Sequence, residues 1–414
     1  MSPTGKALAG LTAGLVAGSA ISMAADPRWL PVTHLSEAVG TLWVNAILMT
    51  VIPLIVSSLV VGVASTANPR IIGRVGGRSV VVFVLLLVAV AVISALTLPV
   101  VMSWMPSDPA AAAALAPATG EVVVPPTLAQ WLVALVPANP VKAAADGALL
   151  PLIVFTLGFA LAVAGLVPEQ RQLILRLAEA VSAAMLRLLG WIVALAPIGV
   201  FALALALAAK AGPAVAGALG YYVLVAVTAC GVFTLALYGL AWFFGGITFR
   251  RFARAVGPAQ AVAFTSHSSL AALPTLVEDA RQQLGLGPEI TTFALPLAAA
   301  TFKYSAPIGS LAASFFISRL YGIPIPPAVV PTMVIMAVLT SFSVPGVGGG
   351  AVFAAMGPVL LAAGLPAQAL GLLFAVDPIP NSARTVANVT AYLAAGAVVA
   401  GRKDRNPTGA RPAV

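Results

Sequence analysis

Three charged side chains stand in stretches that are otherwise apolar: Lys303, Asp377 and Arg384. An arginine placed inside apolar helix is costly unless something pairs with it. Its planar guanidinium matches a carboxylate through two parallel hydrogen bonds, so Arg384 is the leading candidate for holding an acidic small molecule. Asp377, seven residues earlier, falls on about the same helical face, which leaves an internal salt bridge open as the other reading of the arginine. Thr385 and Asn388 can add hydrogen bonds beside it. Two further stretches offer backbone chemistry. One is Ser266-His267-Ser268-Ser269-Leu270-Ala271-Ala272-Leu273-Pro274, followed by Glu278, Asp279 and Arg281. The other is Ser341-Phe342-Ser343-Val344-Pro345-Gly346-Val347-Gly348-Gly349-Gly350. Around Ser268 and Ser269, and from Val344 to Gly348, such tips present N–H groups and helix N-termini to a second carboxylate. The proline and glycines, Pro345 and Gly346 first, suit a gate that must change backbone conformation.

These residues sit in a chain of 414, of which 61% are apolar and 8% charged. A soluble domain averages roughly 45–50% apolar and about 25% charged. The composition excludes a water-soluble enzyme of this size and a disordered chain alike. It predicts an all-α polytopic membrane protein, since a spanning helix needs about 20 apolar residues. The apolar segments run over residues 7–25, 42–64, 79–105, 128–165, 181–209, 220–247, 264–277, 290–321, 328–364 and 367–400. The first has features of a signal peptide (Lys6, then Ser22-Met23-Ala24-Ala25). The loop charges favour a retained helix. The fourth is interrupted by Pro137, Asn139, Pro140, Lys142 and Asp146. The net charge of +9 is explained by basic residues gathering in cytoplasmic loops, not by a nucleic-acid partner. Lys6; Arg70, Arg74 and Arg78; Arg171 and Arg176; Arg250, Arg251 and Arg254; and Arg402, Lys403, Arg405 and Arg411 alternate with loops poor in basic residues. That alternation places both termini in the cytoplasm of a cell whose plasma membrane the chain crosses.

The same counting makes the segment after Arg254 a re-entrant hairpin returning to its own side. The Gly/Pro-rich run at 341–350 is a second interruption, and such backbone survives at membrane depth only when buried in protein or lining a cavity. Two interrupted segments in corresponding places point to a transporter site near the bilayer midplane. Cys230 is the one cysteine, and His34 and His267 are far apart, so no metal or redox motif is present. No paired catalytic carboxylates or Ser-His arrangement supports an enzyme, and no prosthetic group is expected. An anion channel, the rival class, needs a continuous polar path that the scarcity of polar residues argues against.

In order and spacing the residues resemble the dicarboxylate/amino acid:cation symporters of the glutamate-transporter fold. Leu48-Met49-Thr50-Val51-Ile52-Pro53-Leu54-Ile55 and Ser58-Leu59-Val60-Val61-Gly62-Val63-Ala64-Ser65 look like the family's second helix. Asn139-Pro140 with Leu149-Leu150-Pro151 looks like its broken fourth helix, and Ala196-Pro197-Ile198-Gly199-Val200-Phe201 like its fifth. The run from Ser268 to Pro274 stands at the serine-rich tip of hairpin one, Val344-Pro345-Gly346 at the tip of hairpin two, and Arg384-Thr385 with Asn388-Val389-Thr390 in the eighth helix. The resemblance implies eight transmembrane helices, two re-entrant helical hairpins, inverted repeats and a homotrimer in lipid. It implies scaffold helices 1–2 in residues 1–76 and 4–5 in 126–210. Helix 3 (77–105), helix 6 (218–248) and a core over 252–400 would form a moving transport domain, with hairpin two as gate. A cytoplasmic tail would occupy 401–414.

In that family the matching arginine holds the substrate's distal carboxylate. Where acidic amino-acid transporters carry an aspartate for the substrate's amino group, this chain has Asn381, which favours a C4-dicarboxylate without one. The sodium motif Asn-Met-Asp-Gly-Thr falls on Phe302-Lys303-Tyr304-Ser305-Ala306, and an aspartate of the last helix is replaced by Tyr392. Sodium coupling in its usual form is therefore doubtful, and H+ comes before Na+ as coupling ion. The ammonium of Lys303 is expected to stand in for the bound cation and to carry the coupling proton, with Asp377 as its carboxylate partner. Lys142 and Asp146, at i and i+4, read as a structural helix pair, and His267 as a capping, gating or pH-sensing group. The expected substrate is a small dicarboxylate, with a sodium-coupled glutamate/aspartate symporter or an anion uniporter or channel as alternatives.

Overall fold

The computed structural model describes residues 3–24, 26–66, 74–106, 133, 136–146, 148–342, 344 and 352–401. Every regular element among them is helical. Among the described residues five helices are long and apolar enough to cross a membrane, and several shorter apolar helices accompany them.

Helix α1 (Pro3–Ala24) lies along α7 (Ala196–Ala211). Gly10, Gly14 and Gly18 make this possible: a methyl group there would stand 2.4–2.5 Å from the carbonyl oxygens of Pro197, Phe201 and Leu205. Small residues four apart let two backbones approach closely, which is how helices associate when lipid supplies no hydrophobic drive between them. The first apolar segment is thus a packed element of the fold. Helix α2 (Leu30–Thr66) begins a dozen residues earlier than hydropathy suggests and packs on α5 (Leu149–Ala164), α6 (Pro168–Ala194) and α7. Helix α3 (Arg74–Ser103) follows, and the broken segment yields α4 (Pro140–Ala145) and α5. Asn139 caps α4, its side chain accepting from the N–H groups of Val141 and Lys142 at 3.0 Å. Lys142 and Asp146 are both exposed.

The single segment expected over 181–209 is two helices. It is divided at Leu195, whose N–H bonds to Ile192 in a tight turn before Ala196-Pro197. Proline supplies no N–H to continue the ladder. The Ile192 carbonyl, which takes the Leu195 N–H, also accepts from the Trp43 indole at 2.9 Å. Arg171 and Arg176, expected in a loop, lie within α6.

Helix α8 (Ala214–Phe243) leads to two hairpins. In the first, α9 (Phe249–Ser266) and α10 (Leu273–Leu284) pack side by side, and Arg251 at the start of α9 donates to the Gln283 carbonyl at the end of α10 at 2.8 Å. The two arms therefore run antiparallel and both open ends lie together, as a re-entrant hairpin requires. A π-helical turn (Glu289–Ala294) and α11 (Leu295–Thr301) precede α12 (Ala306–Tyr321). The second hairpin has arms α13 (Val330–Ser341) and α14 (Val352–Ala362), also packed together. Helix α15 (Leu370–Val376) and the deeply buried α16 (Pro378–Ala400) end the described chain. One apolar cluster joins α1, α2 and α5–α7 to α12–α15, a second gathers α9–α11 and α16, and α3 and α8 contribute to both. The candidate site lies where α12 and α16 meet.

Candidate functional site

The site begins with a break in a helix. Phe302 leaves helical geometry for an extended conformation (φ −111°, ψ 97°) and α12 restarts at Ala306-Pro307. Its ring stacks on Phe83 of α3 with centroids 4.7 Å apart, which holds the break open. Breaking a helix strands carbonyls on one side and N–H groups on the other. Asn388 of α16 accepts from the Ser305 N–H at 2.8 Å and so caps α12 from a neighbouring helix. On the other side, Lys303 folds back so that its ammonium donates to the carbonyl of Ala299, four residues earlier. That carbonyl would have taken the Lys303 N–H had the helix continued. A cation at a helix C-terminus also complements the helix dipole.

Lys303 is 2% exposed. Its ammonium has two further partners, the hydroxyl of Tyr392 on α16 at 3.1 Å and that of Ser269 at the tip of hairpin one at 3.4 Å. Tyr392 in turn donates to Ser269 at 3.1 Å. The ammonium lies 5.5 Å from the centre of the Tyr392 ring, much farther than from its oxygen, so it meets the hydroxyl and not the ring face. Three donors meet three neutral oxygens. Asp377 is not among them, contrary to the expected Lys303–Asp377 pair. Fifteen residues separate Asp377 from Tyr392, about 22 Å along a helix, and a lysine anchored at one end cannot reach the other.

Asp377 belongs to the second buried cation. It pairs with Arg384, which is 4% exposed. Arg384 Nη2 makes this bond, while Nη1 is buried with no hydrogen-bond partner among the described residues. Such an orphan donor is expensive unless something accepts from it. Gly309 of α12 makes room for the side chain: a methyl group there would be 3.0 Å from Arg384 Cδ and 3.4 Å from Nη1. Thr385, beside the arginine, is buried and donates back to the Asn381 carbonyl at 2.7 Å; Asn381 itself is half-buried.

Hairpin one is tied to α16 at two more points. His267 closes α9 in the left-handed conformation (φ 54°), and its Nδ1 is 3.2 Å from the Ser382 hydroxyl. Gln260 of α9 donates to Thr390 at 2.8 Å and to Tyr238 of α8 at 3.1 Å. Ser268 accepts from the Ala271 N–H at 3.3 Å within the tip. In hairpin two Val344 is half-buried, and Pro345, Gly346 and Gly348 lie outside the described residues.

The site therefore joins α12, α16 and hairpin one, and the comparisons fit that arrangement. Residues 4–402 match the sodium:dicarboxylate symporter family. The chain belongs to that family. Among similar members, the proton/glutamate-aspartate symporter of Escherichia coli is 28% identical over 397 residues, covering 94% of this chain and 90% of that one. The proton/sodium-glutamate symport protein of Bacillus subtilis is 28% identical over 376 residues, 88% of this chain and 85% of that one. An L-cystine uptake protein of Bacillus thuringiensis is 26% identical over 373 residues, covering 87% and 80%. As a member of a symporter family the chain is a transporter and not an enzyme. Tyr392, Gln260 and Ser382 were not anticipated as parts of the site. Tyr392 alone carried a usable signal, a hydroxyl where the family has a carboxylate.

Proposed function

We propose that this symporter moves small acidic anions, C4-dicarboxylates first, and that its coupling ion is the proton. The observation that supports it most is the orphan Nη1 of Arg384, a buried donor beside the Tyr222 hydroxyl, which is likewise without a hydrogen-bond partner among the described residues. A substrate carboxylate accepts from it and shares the guanidinium with Asp377. Asn381 adds an uncharged amide, and the hairpin tips at Ser268, Ser269, Val344 and Gly348 close over the other carboxylate, with Pro345 and Gly346 as the moving part. Lys303 supplies the positive charge where a removable cation would sit and carries the coupling proton, so transport does not need sodium. Substrate crosses by an elevator-like movement of residues 252–400 with helices 3 and 6, in a homotrimer of the plasma membrane with cytoplasmic termini.

A second reading has its own support. The relatives named for glutamate and aspartate favour an acidic amino acid, whose ammonium would be met by Asp377 or by the Asn381 amide oxygen. Uptake into proteoliposomes separates the two. Labelled succinate and labelled aspartate are compared under a pH gradient and under a sodium gradient. Proton-driven succinate uptake is expected; sodium-dependent aspartate uptake would overturn both the substrate and the role of Lys303.

A further inference from the structure

We propose that Tyr392 and Ser269 form the route by which the proton on Lys303 is exchanged with water at the tip of hairpin one. The inference rests on the reading of Lys303 as the proton carrier and adds the path. The bonds have a direction. Lys303 donates to Tyr392 at 3.1 Å, and Tyr392 donates to Ser269 at 3.1 Å. Lysine is enclosed on every side, and Tyr392 is 0% exposed. Ser269 is also buried, yet it stands between half-buried Ser268 and exposed Leu270. The chain of hydroxyls thus runs from the interior to the one part of this cluster that borders the surface. The direct Lys303–Ser269 contact is longer, at 3.4 Å, so the tyrosine is the better-aligned step.

The transfer balances without any other group. The Lys303 ammonium gives a proton to Tyr392 Oη as the phenolic proton passes to Ser269 Oγ and the serine proton passes to a water at the tip. Lysine is left neutral, both hydroxyls are restored, and one hydronium is formed; loading runs the steps in reverse. Among the described residues nothing else on the packed elements competes for the role. Helix α3 brings Phe83, and α8 brings Cys230 and Tyr238. Hairpin one carries His267, whose Nδ1 is engaged by Ser382. Tyr304 lies on the break itself, and the Arg384–Asp377 pair lies at the other end of α16. Ser269 is held by both Lys303 and Tyr392, so proton loss leaves the lysine one N–H fewer for its three oxygens and weakens the tie of hairpin one to the break before α12. That links the charge on the lysine to the freedom of the tip.

The test uses the full-length protein in proteoliposomes, with labelled succinate and labelled aspartate as probes. Tyr392→Phe keeps the ring and removes the relay oxygen. Proton-driven uptake is expected to fall about tenfold or more while equilibrium binding of the probe stays within about twofold. Replacing Tyr392 by a fluorotyrosine keeps the fold and the hydroxyl while making the phenol more acidic, and should displace the pH profile of uptake. Wild-type uptake driven by a pH gradient, together with a Tyr392→Phe variant that matches it, would overturn the relay alone. Wild-type uptake indifferent to the pH gradient would overturn the proton-carrier reading and the relay with it.

Discussion

Two cations are buried among the described residues, and they are stabilised in different ways. Arg384 has a carboxylate beside it and one donor nitrogen left over. Lys303 has three neutral oxygens and no ion pair among the described residues. A charge paired with a carboxylate is locked in its ionised form. A charge held only by neutral hydrogen bonds has a lower barrier to becoming neutral, because the same oxygens also serve an amine. The first arrangement suits a permanent anion-binding post. The second suits a group whose charge must change during a cycle.

The contrast is sharpest if the partners are removed. Asp377→Asn leaves Arg384 charged and unpaired, and loss of one partner of a buried pair costs about 3–5 kcal/mol. We expect the largest effect here, a protein that expresses poorly or melts early in detergent, measured by thermal unfolding, with uptake abolished. Arg384→Lys keeps a charge and loses the fork; uptake should drop about a hundredfold with little change in melting. Lys303→Met removes a charge that has no counter-charge to strand. It should leave the protein folded and at least as heat-stable as wild type, while uptake no longer responds to a pH gradient. A strongly destabilised Lys303→Met protein would break the comparison. The smallest change is Asn388→Ala, which uncaps α12. A lost cap costs about 1 kcal/mol, read as a fall of a few degrees in melting temperature.

The two hairpins differ as well. Hairpin one is stitched to α16 through Gln260, His267 and Ser269. In hairpin two, Thr340 and Ser341 turn their hydroxyls back onto their own helix, at 2.8 and 2.6 Å, and the arms pack through apolar side chains. Gly309→Ala tests the surface between α12 and the arginine: it should weaken substrate binding several-fold, measured by titration, without affecting the pH response set at Lys303.

Much of this was legible in the residues. Hydropathy gave the helical class. The polar dip before Glu278 gave the first hairpin, and the scarcity of charge picked out Lys303, Asp377 and Arg384. The i, i+7 spacing offered the Asp377–Arg384 pair as one alternative. Other features were hidden for physical reasons. Leu195 divides a uniformly apolar run that hydropathy alone joins. The glycines of α1 matter only once α7 lies against them. Tyr392 is eighty-nine residues from Lys303, and no local pattern relates them.

The sequence by itself determined what had to be buried and where the helices had to be interrupted, because the bilayer punishes each exposed polar group one residue at a time. Only the tertiary structure decided which cation received the carboxylate. Asp377 and Arg384 share one helix, whose geometry brings them together. Lys303 lies in the break between α11 and α12, and the packing of α16 and the hairpin tip around it gave it hydroxyls in place of a charge.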